Sequence, residues 1–103
     1  MKKYCQVLIN APKKEEAFKI ARNLLKNKLV AGYSIFGGPS EYWWKNKVDK
    51  HYYYNISAFS LNRNKEKIIR KIKKYHSDEC PVIAFIDLGG NKEFLAWIDE
   101  YCK

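Results

Sequence analysis

The stretch from Leu29 to Leu61, LVAGYSIFGGPSEYWWKNKVDKHYYYNISAFSL, constrains this chain more than any other. It reads as two long strands folded back on each other. Val30 to Phe36 begins the first strand and Ser40 to Trp44 resumes it. Gly37-Gly38-Pro39 between them predicts a bulge or bend, because proline cannot donate to a central ladder. Lys45-Asn46-Lys47 is polar, and Asn46 can take the positive φ of a tight hairpin. From Val48 onward, Val48, Tyr52, Tyr54, Ile56 and Ala58 point to one face, with Asp49, His51, Tyr53, Asn55 and Ser57 on the other. This ribbon also holds Tyr33, Phe36, Tyr42, Trp43, Trp44 and Phe59. A chain of 103 residues buries only about two-thirds of its unfolded surface. So many rings exceed what one small core takes, and the surplus must lie on a surface that joins other copies.

The flanking segments supply the other elements. Tyr4 to Ile9 has strand length and ends at Asn10-Ala11-Pro12. Proline suits a first helical turn, where its missing N–H would have had no partner. Glu15 and Glu16 in that turn complement the helix dipole. Ala17, Ile20, Ala21, Leu24 and Leu25 then mark one apolar stripe of a helix ending near Asn27-Lys28. Asn62 or Asn64 caps a second helix. Its stripe is Ile68, Ile69, Ile72 and Tyr75, and Pro81 forces it to stop by Ser77 to Cys80. Val82 to Leu88 is a near-continuous apolar strand. After Gly89-Gly90-Asn91, Phe94, Leu95, Trp97, Ile98 and Tyr101 mark a closing helix.

Strand, helix, strand, strand, helix, strand, helix is an α+β order. It predicts a single domain over residues 1–103 with a ferredoxin-like split β-α-β sandwich, βαββαβ plus a C-terminal helix, around a long central β-hairpin. Right-handed crossovers place the first two helices on one face of the sheet. The other face has at most the last helix for cover, yet rings fall on both faces, and a closed oligomer resolves that conflict.

Composition narrows the role. The formal charge is +9, which draws a protein toward anions, although lysines scattered on helical faces are ordinarily just solvated. Cys5, Cys80 and Cys102 are odd in number with no C-x-x-C spacing, so neither a disulfide framework nor a four-cysteine zinc site is expected. The apolar run after Met-Lys-Lys is too short for a secretory leader. No stretch approaches the ~20 apolar residues of a membrane span. The expectation is a cytoplasmic protein without a membrane partner.

With the segments placed, the chain resembles the CutA family, the trimeric divalent-cation tolerance proteins. Ala11-Pro12 leads into Ala17, Ile20, Ala21 and Leu24, then Leu29-Val30-Ala31, as at that family's first helix and its exit. Ser40, Tyr42, Trp44, Lys47 and Val48 match its S-x-Y-x-W-x-x-K-V pattern. His76, Glu79, Pro81 and Ile83 match its H-P-Y-E-x-P-x-I segment, and Phe94-Leu95-Ala96-Trp97-Ile98 resembles its closing Y-L-x-W-I. The chain departs from the pattern at Gly32, where the family carries Cys, and at Ser77 and Asp78, where it carries Pro and Tyr. The resemblance implies a homotrimer whose long hairpins reach across to neighbouring subunits. It also implies a non-enzymatic protein associated with copper and other divalent ions.

His76, Glu79 and Cys80, with Asp78, form the candidate metal site. An imidazole, a thiolate and carboxylates within five residues suit Cu(II) or Zn(II), but a firm site needs three or four converging ligands. The other reading has His76 and Glu79 capping a helix end and bonding backbone around Pro81. Tyr42, Trp44 and Trp97 are candidates for a cleft between subunits, and Lys47, Tyr52 and Tyr54 for the same interface. Cys5 and Cys102 read as buried, inert thiols. No Ser-His-Asp set and no G-x-x-x-x-G-K-[ST] loop is present, so no catalytic role is expected. The alternative function is a basic RRM-type module that binds RNA, with Tyr52 and Tyr54 stacking bases on the sheet. It lacks that module's aromatic signature in its third strand.

Overall fold

A computed structural model describes residues 2–103. The chain forms β1 (Tyr4–Ala11), α1 (Lys14–Lys26), β2 (Gly32–Trp44), β3 (Lys47–Leu61), a 3-10 turn (Asn62–Asn64), α2 (Lys65–Tyr75), β4 (Ile83–Leu88) and α3 (Lys92–Tyr101). The four strands make one antiparallel sheet in the order β2-β3-β1-β4. This is the α+β, ferredoxin-like arrangement that the element order predicts.

Strand parity decides which side chains enter the core. Cys5, Val7, Ile9 and Ala11 of β1 lie opposite Ser60, Ala58, Ile56 and Tyr54 of β3. They pack against Ala17, Ile20, Ala21 and Leu24 of α1 and Ile68 and Ile72 of α2. Both helices therefore cover the same face. The opposite face is covered only at one end, where Ile98 and Cys102, with the rings of Phe94 and Trp97, pack on Phe59, Leu61, Tyr4 and Leu88. Beyond that end Gln6, Leu8, Phe36, Ala84 and Ile86 lie on the uncovered face. Phe36 is 55% and Ile86 47% exposed.

The expected break in β2 does not form. Gly37, Gly38 and Pro39 pair in unbroken register with Tyr54, Tyr53 and Tyr52. β2 is an edge strand, with β3 as its one neighbour, and an edge tolerates proline whose missing donor faces outward. Gly37 serves close packing instead: a Cβ there would sit 2.6 Å from the Tyr52 ring. A ring laid across a strand glycine covers backbone that the glycine leaves bare. The long arm is thus one ribbon paired without a break, and the molecule has extents of 43 × 23 × 22 Å.

Two turns rest on residues with positive φ that are not glycine. Lys45 and Asn46, at φ 50° and 64°, form the two-residue hairpin turn. Only Asn46 announced itself in the sequence. At the end of α1, Lys28 adopts φ 58°, Leu29 N–H reaches Leu24 O at 3.0 Å and Lys28 N–H reaches Leu25 O at 3.0 Å. That pair of bonds is the Schellman closure, in which glycine is the usual residue at the left-handed position. Lys28→Gly should therefore stabilise the fold by about 0.5–1 kcal/mol, read as a higher midpoint in urea unfolding with the slope unchanged.

At the start of α2, neither Asn62 nor Asn64 forms the expected side-chain cap. Asn64 is buried and donates to Leu29 O at 3.5 Å, while Asn62 donates to Lys2 O at 2.8 Å. Both amides tie distant backbone together instead of capping the helix.

Candidate ligand cleft

The segment between α2 and β4 is held by His76. Its side chain is 1% exposed. Nε2 is hydrogen-bonded to Asn10 O at the end of β1, and Nδ1 accepts the Asp78 N–H at 3.1 Å. These two bonds assign the tautomer with the proton on Nε2. Glu16, in the first turn of α1, accepts the Ser77 N–H at 3.2 Å and lies 3.5 Å from Nδ1. One buried imidazole therefore joins β1, α1 and the loop.

Pinned this way, the loop faces the outer half of the β2–β3 arm. Asp78 Oδ2 accepts the Tyr53 hydroxyl at 3.1 Å, and the Tyr42 and Tyr53 hydroxyls lie 3.3 Å apart. Burial first, then the bonds to Tyr42 and Asp78, hold the Tyr53 phenol well above its ordinary value. Tyr53 thus keeps its proton and donates a hydrogen bond to Asp78, so Tyr42 donates to Tyr53. The rings of Tyr42 and Tyr53 meet edge to face at 5.7 Å, and His51 packs on Tyr53 at 4.8 Å.

Between arm and loop lies a cleft of about 640 Å³, with Tyr42, Trp43, Trp44 and Tyr53 among its lining residues. Glu41, Asp49, Asp78 and Glu79 bring carboxylates to it. Lys45 reaches over the Trp44 ring at 5.8 Å and comes within 3.9 Å of Glu79.

The sequence candidates separate on this frame. Glu79 and Cys80 are exposed and line the cleft, but His76 lies behind them with both ring nitrogens engaged. The three do not converge, and among the described residues no group of three or more His, Cys, Asp or Glu is placed to hold a metal ion. One chain therefore does not fit a resident copper or zinc, which requires three or four converging ligands, and an imidazole ligates only through a free lone pair.

Within one chain the aromatic candidates lie apart. Tyr42 and Trp44 line the cleft, whereas Trp97 packs with Phe59 and Phe94 at the far end of the sheet. Lys47 pairs with Trp44 beside the hairpin turn. Tyr52 and Tyr54 stack edge to face at 5.4 Å on the helix-covered face. Tyr53, the hub of the hydroxyl chain, escaped the sequence reading. Its neighbours Tyr52 and Tyr54 drew attention, although alternation puts Tyr53 alone on the loop side.

Cys5 and Cys102 are buried free thiols and Cys80 is an exposed one. Burial pushes Cys5 up to about 11 and raises Cys102 too, so both remain protonated and unreactive at neutral pH.

The fold is thus a ferredoxin-like sheet with one face largely bare, a projecting aromatic arm and an acidic cleft along the outer half of that arm. The family of CutA1 divalent ion tolerance proteins matches residues 5–101, and this chain belongs to that family. The divalent-cation tolerance protein CutA of Archaeoglobus fulgidus is 36% identical over 95 residues, covering 91% of this chain and 93% of its own. That of Thermotoga maritima is 31% identical over 93 residues, covering 86% and 89%. The solved structure of the Archaeoglobus fulgidus protein, described as periplasmic, superposes with a TM-score of 0.91 at 34% identity, covering 95% of this chain and 97% of that one. The Thermus thermophilus protein reaches 0.93 at 27% identity, covering 97% and 99%.

Proposed function

We propose that this chain is one subunit of a non-enzymatic homotrimer that serves divalent-cation tolerance, with the bare sheet face buried between subunits. The observation that carries the reading is the exposure of Phe36 and Ile86 on a sheet face that α3 covers only at one end. Antiparallel sheets leave a face to water when that face is polar, and here Leu8, Phe36, Ala84 and Ile86 interrupt it. The names of the relatives supply the cation, and the acidic cleft supports it. In this reading a copper or zinc ion is cargo held weakly at the cleft, with any further ligands drawn from a neighbouring subunit. Three free thiols suit the reducing cytoplasm.

Size exclusion with light scattering tests the assembly. The expected mass is three times the 12.2 kDa of one chain, and a monomer at micromolar concentration overturns it.

RNA binding on the sheet loses its main support. Tyr52 and Tyr54, the rings it requires, belong to the helix-covered face. On the uncovered face the central strands present Gln6, Leu8 and Ser57 beside the edge-strand ring of Phe36, which falls short of the two or three bases that an RRM sheet stacks.

A further inference from the structure

The excess of positive charge is confined to one layer of the molecule. Residues 13–28 and 62–75, which contain α1 and α2, carry thirteen Lys and Arg against three Glu, while the rest of the chain carries seven against eight. The whole net charge of +9 thus sits on the helical face and its flanks.

Two further observations separate this face from an ordinary solvated helix surface. Among the described residues, the lysines paired with carboxylates are Lys3, Lys45 and Lys50, all outside the two helices. None of the thirteen cations of these two segments has such a partner, although i,i+4 pairs are the usual device on exposed helices. In addition, cations from both helices converge. Lys19 of α1 and Lys74 of α2 lie 5.6 and 5.7 Å from the centre of the same Tyr75 ring. A surface groove of about 610 Å³ continues the patch along α1, with Lys14, Lys19, Arg22 and Lys26 around it and Glu15 as its one carboxylate. Like charges crowded without counter-charges raise the free energy of the free protein, and a polyanion relieves that repulsion.

We propose that the α1–α2 face binds the phosphate backbone of duplex nucleic acid, without reading bases. A membrane surface fits less well. An interfacial helix inserts an apolar face, and here those of α1 and α2 are buried in the core, with Leu25 the one large apolar side chain of the two helices exposed on this side. Lysine, which predominates over arginine here, meets phosphate as a point charge and needs no base edge. The site lies opposite the bare sheet face, so the proposed trimer leaves it open, and its binding does not depend on that assembly.

The test is fluorescence anisotropy with a labelled 20-bp DNA duplex of arbitrary sequence, comparing two triple variants of equal net charge. Lys19→Gln, Arg22→Gln and Lys74→Gln neutralise the patch and keep long side chains. Lys2→Gln, Lys92→Gln and Lys103→Gln remove the same charge from elsewhere. Circular dichroism checks that both variants fold, and the oligomeric state of each is measured in parallel. For wild type engaging about five phosphates, affinity should fall about 10²- to 10³-fold between 50 and 200 mM salt. The patch variant should bind at least about 30-fold more weakly at 50 mM and lose about three from the salt slope. The control should stay within about threefold of wild type. Equal weakening of the two variants means diffuse charge and overturns the site. No binding by folded wild type at 50 mM salt overturns it too. Binding to vesicles containing phosphatidylserine but not to the duplex overturns the choice of partner.

Discussion

His76→Ala should lower the unfolding free energy by about 2–4 kcal/mol while leaving copper or zinc binding unchanged. The substitution deprives the Asn10 carbonyl and the Asp78 N–H of their partner at a site where the side chain is 1% exposed. A buried polar group left unsatisfied costs about 1–3 kcal/mol, and the volume of the lost ring adds a cavity term. For a domain of this size the midpoint of thermal unfolding should fall by roughly 10–20 °C, with protein concentration held fixed because assembly shifts it. His76→Gln, whose amide N–H can reach a carbonyl, should recover part of the loss. Calorimetric titration with Cu(II) and Zn(II) separates this structural role from ligation. If folded His76→Ala loses a metal equivalent that wild type binds, then the imidazole ligates and its hydrogen bonds are incidental.

Phe36→Lys combined with Ile86→Lys should dissolve the proposed trimer. Fully burying a large apolar side chain contributes about 1.5–3 kcal/mol, and these two are already about half buried in the single chain. Loss of their remaining burial at each subunit contact is compounded by desolvating two ammonium groups per chain. Light scattering should report a monomer at micromolar concentration, with helix content preserved because both residues lie away from α1 and α2. Leu25→Lys supplies the control: Leu25 is 41% exposed but lies on α1, and that variant should remain trimeric. A double variant that stays trimeric, or a Leu25→Lys variant that falls apart, would show that copies join through another surface.

The two outcomes also divide the cleft from the assembly. The Tyr42–Tyr53–Asp78 chain and the His76 anchor are complete within one subunit. Folded monomers from the second experiment should therefore keep that network, and any cation affinity that survives in them belongs to one chain's carboxylates. Affinity lost with the trimer requires ligands from a second subunit.

Periodicity determined much of this protein from sequence alone. The stripe from Ala17 to Leu24 and the alternation of Tyr54, Ile56 and Ala58 are local patterns, and burial of one helix stripe against one strand face makes those patterns obligatory. The order of the elements followed, and with it the sheet topology and the bare face. What tertiary structure decided depends on where segments far apart in the chain come to rest. Gly37-Gly38-Pro39 continues the strand because β2 happens to be an edge and the Tyr52 ring fills the space over Gly37. His76 resembled a ligand beside Glu79 and Cys80, but Asn10 and Asp78 take both of its nitrogens. Trp97 reads as a cleft aromatic like Tyr42 and Trp44, yet within one subunit it packs at the opposite end of the sheet, on Phe59 and Phe94. Residue type sets what a side chain is able to bond, whereas the partner that reaches it across the fold sets what it does bond.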